Sequence, residues 1–318
     1  MQVDPTANFQ ITPDGALPKV SILIPTHNRP HYFELALKSA LNQTYKNIEI
    51  IISDNSDDNR TFENFRAYQE AYPQLIYLRT HGTIGLQNFY NAFKLATGDY
   101  ISYLMDDDLF HPEKIERMVN YFVNNPNVSL VTSFRQLIDK DGNLLQSMHG
   151  TERLFEKDTL ITGHSMAKHM LENGSNVIGE PTTAMMRRKD IPEGFGWFRN
   201  KQYRLLTDVA TWLTVLAKGD CVYISEALSY FRIHEEQDQK NVKNVRLNAS
   251  IEWFDLILDA YASNMFFDNK STFLELMSNK LNGFRYYTQA NAATDNYDDK
   301  TQAEIARVNA RAEAVLAS

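Results

Sequence analysis

The stretch Tyr100-Ile101-Ser102-Tyr103-Leu104-Met105-Asp106-Asp107-Asp108 decides the fold. It is an apolar strand-like run that ends in three consecutive carboxylates. The same pattern precedes it twice. Lys19-Val20-Ser21-Ile22-Leu23-Ile24-Pro25 is a β-branched run closed by proline, followed by the loop Thr26-His27-Asn28-Arg29-Pro30. Ile48-Glu49-Ile50-Ile51-Ile52 ends in the polar loop Ser53-Asp54-Asn55-Ser56-Asp57-Asp58. Short β-branched runs bounded by such loops read as buried strands.

Between these strands the period changes. Phe33, Leu37, Ala40 and Leu41 recur at spacings of three and four, which predicts an amphipathic helix through residue 41. A second helix is expected over about residues 60 to 72, then a strand at Leu75-Ile76-Tyr77-Leu78. The loop holding Gly82 and Gly85 leads into a helix through residue 96, and Gly98 reads as its C′ glycine. This βαβαβαβ alternation implies an α/β fold with a mostly parallel central sheet and helices on both faces. Such sheets bind ligands at the carboxyl ends of their strands. Thr26 and Arg29, Asp54, and Asp106 to Asp108 all fall at that edge.

Beyond residue 128 the pattern loosens. Residues 129 to 134 read as a strand, and Asp139-Lys140-Asp141-Gly142-Asn143 as a hairpin turn. Helices are expected at 164 to 172, 207 to 217, 251 to 265 and 271 to 287. The Ala-, Glu- and Arg-rich stretch 300 to 318 has few large apolar residues and would be a poor helix alone. It reads as a segment that docks, on an oligomer partner or a further domain. The expected organisation is a tail over 1 to 18, an α/β domain over 19 to 240 and a helical extension over 241 to 318.

With 318 residues, 43% of them hydrophobic and 23% charged, the chain can build a core without staples. The formal net charge of −8 argues against nucleic acid as a partner. The single cysteine, Cys221, excludes an internal disulfide framework and lies in the apolar run Cys221-Val222-Tyr223-Ile224. No window approaches the ~18 apolar residues of a membrane span, and residues 1 to 18 lack a signal-peptide pattern. A cytoplasmic protein is expected, with peripheral contact at the inner membrane face left open.

Three adjacent carboxylates at a strand end repel one another unless a cation is near. Hard cations such as Mn²⁺ or Mg²⁺ take oxygen ligands and bridge carboxylates to phosphates. Asp108 also reads as an N-cap of the helix that begins around Pro112-Glu113-Lys114, leaving Asp106 and Asp107 for a ligand. Asp54 reads equally as a nucleoside contact or as an Asx-turn. Asp208, in Thr207-Asp208-Val209-Ala210-Thr211-Trp212-Leu213, reads locally as a first-turn acid.

These segments together resemble the family 2 inverting glycosyltransferases of the GT-A type. The likeness is carried by 20 to 29, by 37 to 52, and by Gly82, Gly85, Asn88 and Asn91 before Gly98-Asp99-Tyr100-Ile101. It continues through Leu104 to Lys114, Thr207-Asp208 to Trp212-Leu213, and Tyr230-Phe231-Arg232-Ile233-His234. The resemblance covers residues 19 to 238. It implies a nucleotide-sugar donor, UDP-linked in the first instance, and a glycan, glycoprotein or polysaccharide acceptor. Pro25, Thr26, Arg29, Asp54, Asn88 and Asp106 would then bind the nucleotide sugar. Asp106 and Asp107 would hold the divalent cation, joined by His234 unless that histidine is structural. Asp208 would be the general base. Trp197 reads as a sugar platform or as packing. Three positions depart from the family pattern. Met105 stands where many members have an acid, Thr207 where a glutamate precedes the base, and Tyr90 where an arginine is common.

Two other readings compete. A nucleotidyltransferase would carry glycines in its first loop, and Pro25-Thr26-His27-Asn28-Arg29 has none. A silent sugar-nucleotide-binding module would have no use for Asp208.

Overall fold

The computed structural model describes residues 17 to 83, 85 to 237, 244 to 295 and 297 to 318. Most of the expected tail, and the expected boundary at 240/241, lie outside these. Val20–Thr26 (β1) is buried at every position, as a continuous Val/Ile/Leu run in the middle of a parallel sheet should be. Ile48–Asp54 (β2) lies parallel to it on one side, and Leu75–Arg79 (β3) is parallel to β2 beyond. Tyr100–Tyr103 (β4) is parallel to β1 on the other side. Helices Pro30–Leu41 (α1), Arg60–Gln69 (α2) and Leu86–Leu95 (α3) make the crossovers.

Register places the polar loops. Thr26 pairs with Asp54 across β1 and β2. Leu23 pairs with Tyr103 across β1 and β4. Three residues further along each parallel strand come Thr26 and Asp106, which therefore emerge side by side.

The second half of the sheet is mixed. After Leu109–Phe110 (β5) and Lys114–Asn124 (α4) comes the long strand Val128–Ile138 (β6). Thr159–Ile161 (β7), Gly163–Asn173 (α5) and Met185–Arg187 (β8) follow. Then come the hairpin Trp197–Phe198 (β9) and Lys201–Gln202 (β10), the helix Thr207–Leu216 (α6), and the strand Asp220–Arg232 (β11). The strand order is β3-β2-β1-β4-β8-β6-β11-β5, with β7 also on β11. β8 is antiparallel to both β4 and β6, while β11 is parallel to β6. The expected hairpin turn is present: Asp139 donates its N–H to Asn143 O at 2.9 Å, and Ile138 bridges Leu144.

Two expectations are corrected. Gly98 does not cap α3, which ends at Ala96 in an extended conformation. Gly98 is instead a point of close approach, its N–H donating to Ser21 Oγ at 2.9 Å. A Cβ there would lie 2.7 Å from Ser21 N and 2.9 Å from Lys19 O. Nor does Asp108 cap a helix: α4 begins beyond β5, with Glu113 at its N-cap.

Val245–Ala262 (α7), Lys270–Asp295 (α8) and Asp299–Leu316 (α9) complete the chain. Their apolar faces join the same core as Leu23, Met170 and Trp212. The α9 segment docks within its own chain. Val308 and Ala312 are buried, and Arg307 grips Asp255 of α7 at 2.8 and 2.9 Å. Asp298 caps α9 by accepting from Thr301 N–H at 2.8 Å. Among the described residues no helix is long and apolar enough to cross a membrane.

Candidate active site

The ends of β1 and β4 bring five of the expected residues together. Asp106 Oδ2 accepts from the Thr26 hydroxyl at 2.9 Å and from His27 N–H at 3.2 Å. Arg29 Nη1 spans the acidic pair, 3.1 Å from Asp106 Oδ1 and 3.2 Å from Asp107 Oδ2. His234 arrives from beyond β11, its Nε2 3.0 Å from the same Asp107 oxygen. Glu236 N–H lies 3.3 Å from His234 Nδ1. That bond makes Nδ1 the acceptor and leaves the ring proton on Nε2, facing Asp107.

Asp108 does separate work. It accepts from the Thr182 hydroxyl at 2.5 Å and from Arg232 N–H at 3.0 Å. Arg232, 1% exposed, donates its Nε to Asp107 O at 2.8 Å. The segment carrying His234 is thereby pinned onto the acidic loop. Burial pushes the Asp106 carboxyl well up, and the charge of Asp107 adds to it against the pull of Arg29. Burial likewise raises Asp108, with Asp107 again adding.

The other expected residues lie behind this front. Asp54 is fully buried. Its carboxylate accepts from Tyr77 OH, from Arg79 Nη1 at 2.9 Å and from Ser56 N–H at 2.8 Å. The last contact is the Asx-turn that the sequence suggested. Asn88, 4% exposed, accepts from Ser53 Oγ at 2.5 Å and donates to Thr26 O and Asn55 Oδ1 at 3.2 and 3.0 Å. It braces the loops after β1 and β2. Pro25 is buried in β1, paired with Ser53. Half-buried Trp197 sits in the β9–β10 hairpin, its carbonyl accepting from Thr214.

Asp208 stands in the first turn of α6, on a different element. Its carboxylate accepts from Asn176 Nδ2 at 2.7 Å. Burial raises its carboxyl to about 6, helped by the charge of Glu180 and opposed by the bonds from Val209 N–H and Asn176. One segment links this carboxylate to the acidic loop. Asn176 holds Asp208, Glu180 is gripped by Arg135 at 2.9 Å, and Thr182 holds Asp108. Asn176, Glu180, Thr182 and Arg232 were not singled out from the sequence. Arg232 lay inside a quoted motif, whereas residues 176 to 182 carry no periodic signal.

A divalent cation fits these donors. The two carboxylates are the oxygen ligands that Mn²⁺ and Mg²⁺ accept, with the His234 imidazole beside them. The charge crowding around Asp107 is what a cation relieves. Among the described residues no three His, Cys, Asp or Glu side chains already form a ligand cage.

The family model described as Glycosyl transferase family 2 matches residues 21–195, more than half of the chain, and the chain belongs to that family. An uncharacterised glycosyltransferase of Rickettsia conorii is 28% identical over 236 residues, covering 74% of this chain and 37% of that protein. The chain thus spans little more than a third of that relative. In structure it resembles TarS 1-349 of Staphylococcus aureus, solved with UDP-GlcNAc. That likeness has a TM-score of 0.62 at 15% identity, covering 94% of this chain and 81% of TarS 1-349. It also resembles a mannosyltransferase of Pyrobaculum calidifontis solved with GDP-Man and Mn²⁺. There the TM-score is 0.55 at 15% identity, covering 99% and 88%. At such identities these two likenesses speak for the shared GT-A-like fold.

Proposed function

We propose that this chain is a metal-dependent inverting glycosyltransferase that moves a sugar from a nucleotide sugar to an acceptor hydroxyl on a glycan, glycoprotein or polysaccharide precursor. One observation carries the reading. Thr26, Arg29, Asp106, Asp107 and His234 converge at the sheet edge, and a single segment ties their loop to a half-buried carboxylate, Asp208, raised to about 6. The donors solved with TarS and the mannosyltransferase, UDP-GlcNAc and GDP-Man, support a nucleotide sugar here; UDP-linked donors come first in the test.

A cation held by Asp106 and Asp107 would neutralise charge on the departing diphosphate, and His234 would join them through Nε2 in the tautomer that carries its proton on Nδ1. Arg29 adds a fixed positive charge beside the same oxygens. Asp208, ionised above about pH 6, accepts the proton of the acceptor hydroxyl. That oxygen bonds to the anomeric carbon as the bond to the diphosphate oxygen breaks on the opposite face, so the configuration inverts. Pro25, Asp54 and Asn88 shape the nucleotide pocket from behind, Asp54 by holding the loop of residues 54 to 58. In this reading residues 19 to 240 form the catalytic unit and 241 to 318 a helical buttress.

The test is nucleotide release from a panel of UDP- and GDP-sugars with Mn²⁺ or with EDTA, with the anomeric configuration of any product read by NMR. The expected result is metal-dependent release, lost about 100- to 10,000-fold in Asp208→Asn. Release of diphosphate in place of nucleoside diphosphate would mark a nucleotidyltransferase. Undiminished turnover by Asp208→Asn would remove Asp208 from its role.

A further inference from the structure

A cavity of about 350 Å³ opens between the C-terminal end of α5 and the helices α7 and α8. None of its walls belongs to the loops that carry Asp106, Asp107 or Asp208. Phe254 and Phe284, both 5% exposed and 5.1 Å apart between ring centres, form the floor. Trp253 and Tyr287 are half-buried and stand at the sides. Lys280, Gly283, Phe284 and Tyr287 recur at spacings of three and four, which puts them on one face of α8.

Three features set this cavity apart from an ordinary gap between helices. The first is Lys280. Its half-buried amine is held below the ordinary lysine value by desolvation. Among the described residues no carboxylate lies within ion-pairing distance of it. Glu172 acts on it only through space, and the C-terminal end of α5, at Gly174, lies close by. The second is the polar inventory. Lys280, Trp253, Tyr287 and Ser250 are the lining residues that carry side-chain donors, Ser250 already donating to Arg246 O at 2.8 Å, and no Asp or Glu lines it. A guest rich in acceptors is the complement of that set. The third is Gly283. A glycine is a destabilising choice in the interior of a 26-residue helix. A Cβ there would meet nothing within 4 Å. Packing does not demand the glycine, which is exposed and stands in the cavity's lining.

We propose that this cavity is a second carbohydrate site, separate from the catalytic centre, that seats a sugar ring bearing an anionic group. The apolar C–H face of the ring rests on Trp253 or Tyr287, and the carboxylate or phosphate meets Lys280. Its volume lies in the ~300–1,000 Å³ range of small-ligand sites. A site of this kind would let the helical region grip an acidic glycan while another part of the glycan is at Asp208. Binding at the cavity does not depend on the transfer reaction.

The probes are glucuronic acid and glucose 6-phosphate, with glucose and benzoate as controls, titrated against the whole chain and followed by tryptophan fluorescence and ligand-observed NMR. At least one acidic sugar should bind, glucose and benzoate at least about tenfold more weakly. Whichever acid binds tighter tells a carboxylate site from a phosphate site. Lys280→Met and Gly283→Leu should each weaken the acidic sugar at least about tenfold. Gly283→Leu fills the cavity at an open helical position, so its Tm should not fall. Nucleotide release from the donor should be unchanged in both variants, which keeps this test independent of the proposed transfer activity. Absence of binding by both acidic sugars, equal binding of glucose or of benzoate, or full affinity in Lys280→Met and Gly283→Leu would each overturn the proposal.

Discussion

The side-chain amide of Asn176 donates to Asp208 Oδ2 at 2.7 Å and, from the same nitrogen, to Gly179 O at 2.9 Å. Its oxygen accepts from Gly179 N–H at 3.1 Å, and Trp212 Nε1 closes on the same Gly179 carbonyl at 3.1 Å. The carboxylate proposed as the base is thus held by a turn that the helix bearing it also holds. In the proposed mechanism Asn176 is a positioning residue, and Glu180, one residue past the turn, biases the same carboxylate by its charge.

Opposite pH shifts follow for these two neighbours. A hydrogen bond to the ionised carboxylate lowers its pKa, so Asn176→Ala should raise that of Asp208 above about 6. The acid limb of kcat then moves to higher pH, and activity falls more at pH 6 than at pH 8.5. Removing the repelling charge in Glu180→Gln should move the limb downward. A uniform loss of kcat in both variants, with unshifted limbs, would leave the segment a purely structural role.

Mn²⁺ and nucleotide should stabilise the protein together. A ligand present at about 100 times its Kd adds about 2.7 kcal/mol to folding. Scanning calorimetry should show a higher Tm with Mn²⁺ and UDP than with UDP and EDTA. In Asp107→Asn the Mn²⁺-dependent part should vanish. A Tm that ignores Mn²⁺ in the wild type would count against a metal at the acidic loop.

The parts of the fold legible in the sequence were those with a strong period. β1, β2 and β4 are predominantly apolar runs, and their register alone places Thr26 beside Asp106. The right half of the sheet was obscure for physical reasons. β8 is three residues long, too short for alternation to show. β11 slips register between Ile224, Ala227 and Ser229, which breaks its period of two. Asp108 was misread as a cap because the two-residue β5, visible only through its pairing with β11, intervenes before α4. In the site, Asp106 and Asp107 stood out by their position after a strand. Asn176 by a hydrogen bond and Glu180 by its charge act on a helix some 30 residues away in sequence, and no local pattern announces such a relationship.

Arg79 should matter for stability because it is the cation beside buried Asp54. Its Nη1 pairs with Asp54, and its Nη2 donates to Ser56 O at 2.9 Å. Arg79→Met leaves a buried carboxylate without its cation, a change that typically removes about 3–5 kcal/mol. Tyr77→Phe, which deletes one hydrogen bond to the same oxygen, should remove about 1–3 kcal/mol. Urea denaturation measures both. A loss below about 1 kcal/mol in Arg79→Met would show that Asp54 finds other partners.

Two glycines should respond to alanine with opposite signs. At Gly98 the added methyl would press on Ser21 N and Lys19 O, backbone atoms fixed by the pairing of β1 with β2 and β4. They cannot retreat without disturbing the N–H bonds from Gly98 to Ser21 Oγ and Glu49 Oε1. Overpacking of this kind lowers stability by about 1–3 kcal/mol. At Gly283 the methyl enters open space on a helix and adds about 0.5–1 kcal/mol through helix propensity and a less flexible unfolded chain. Gly98→Ala should therefore lower Tm and Gly283→Ala raise it. Equal shifts in the same direction would mean that close approach at the head of β1 is not the reason for Gly98.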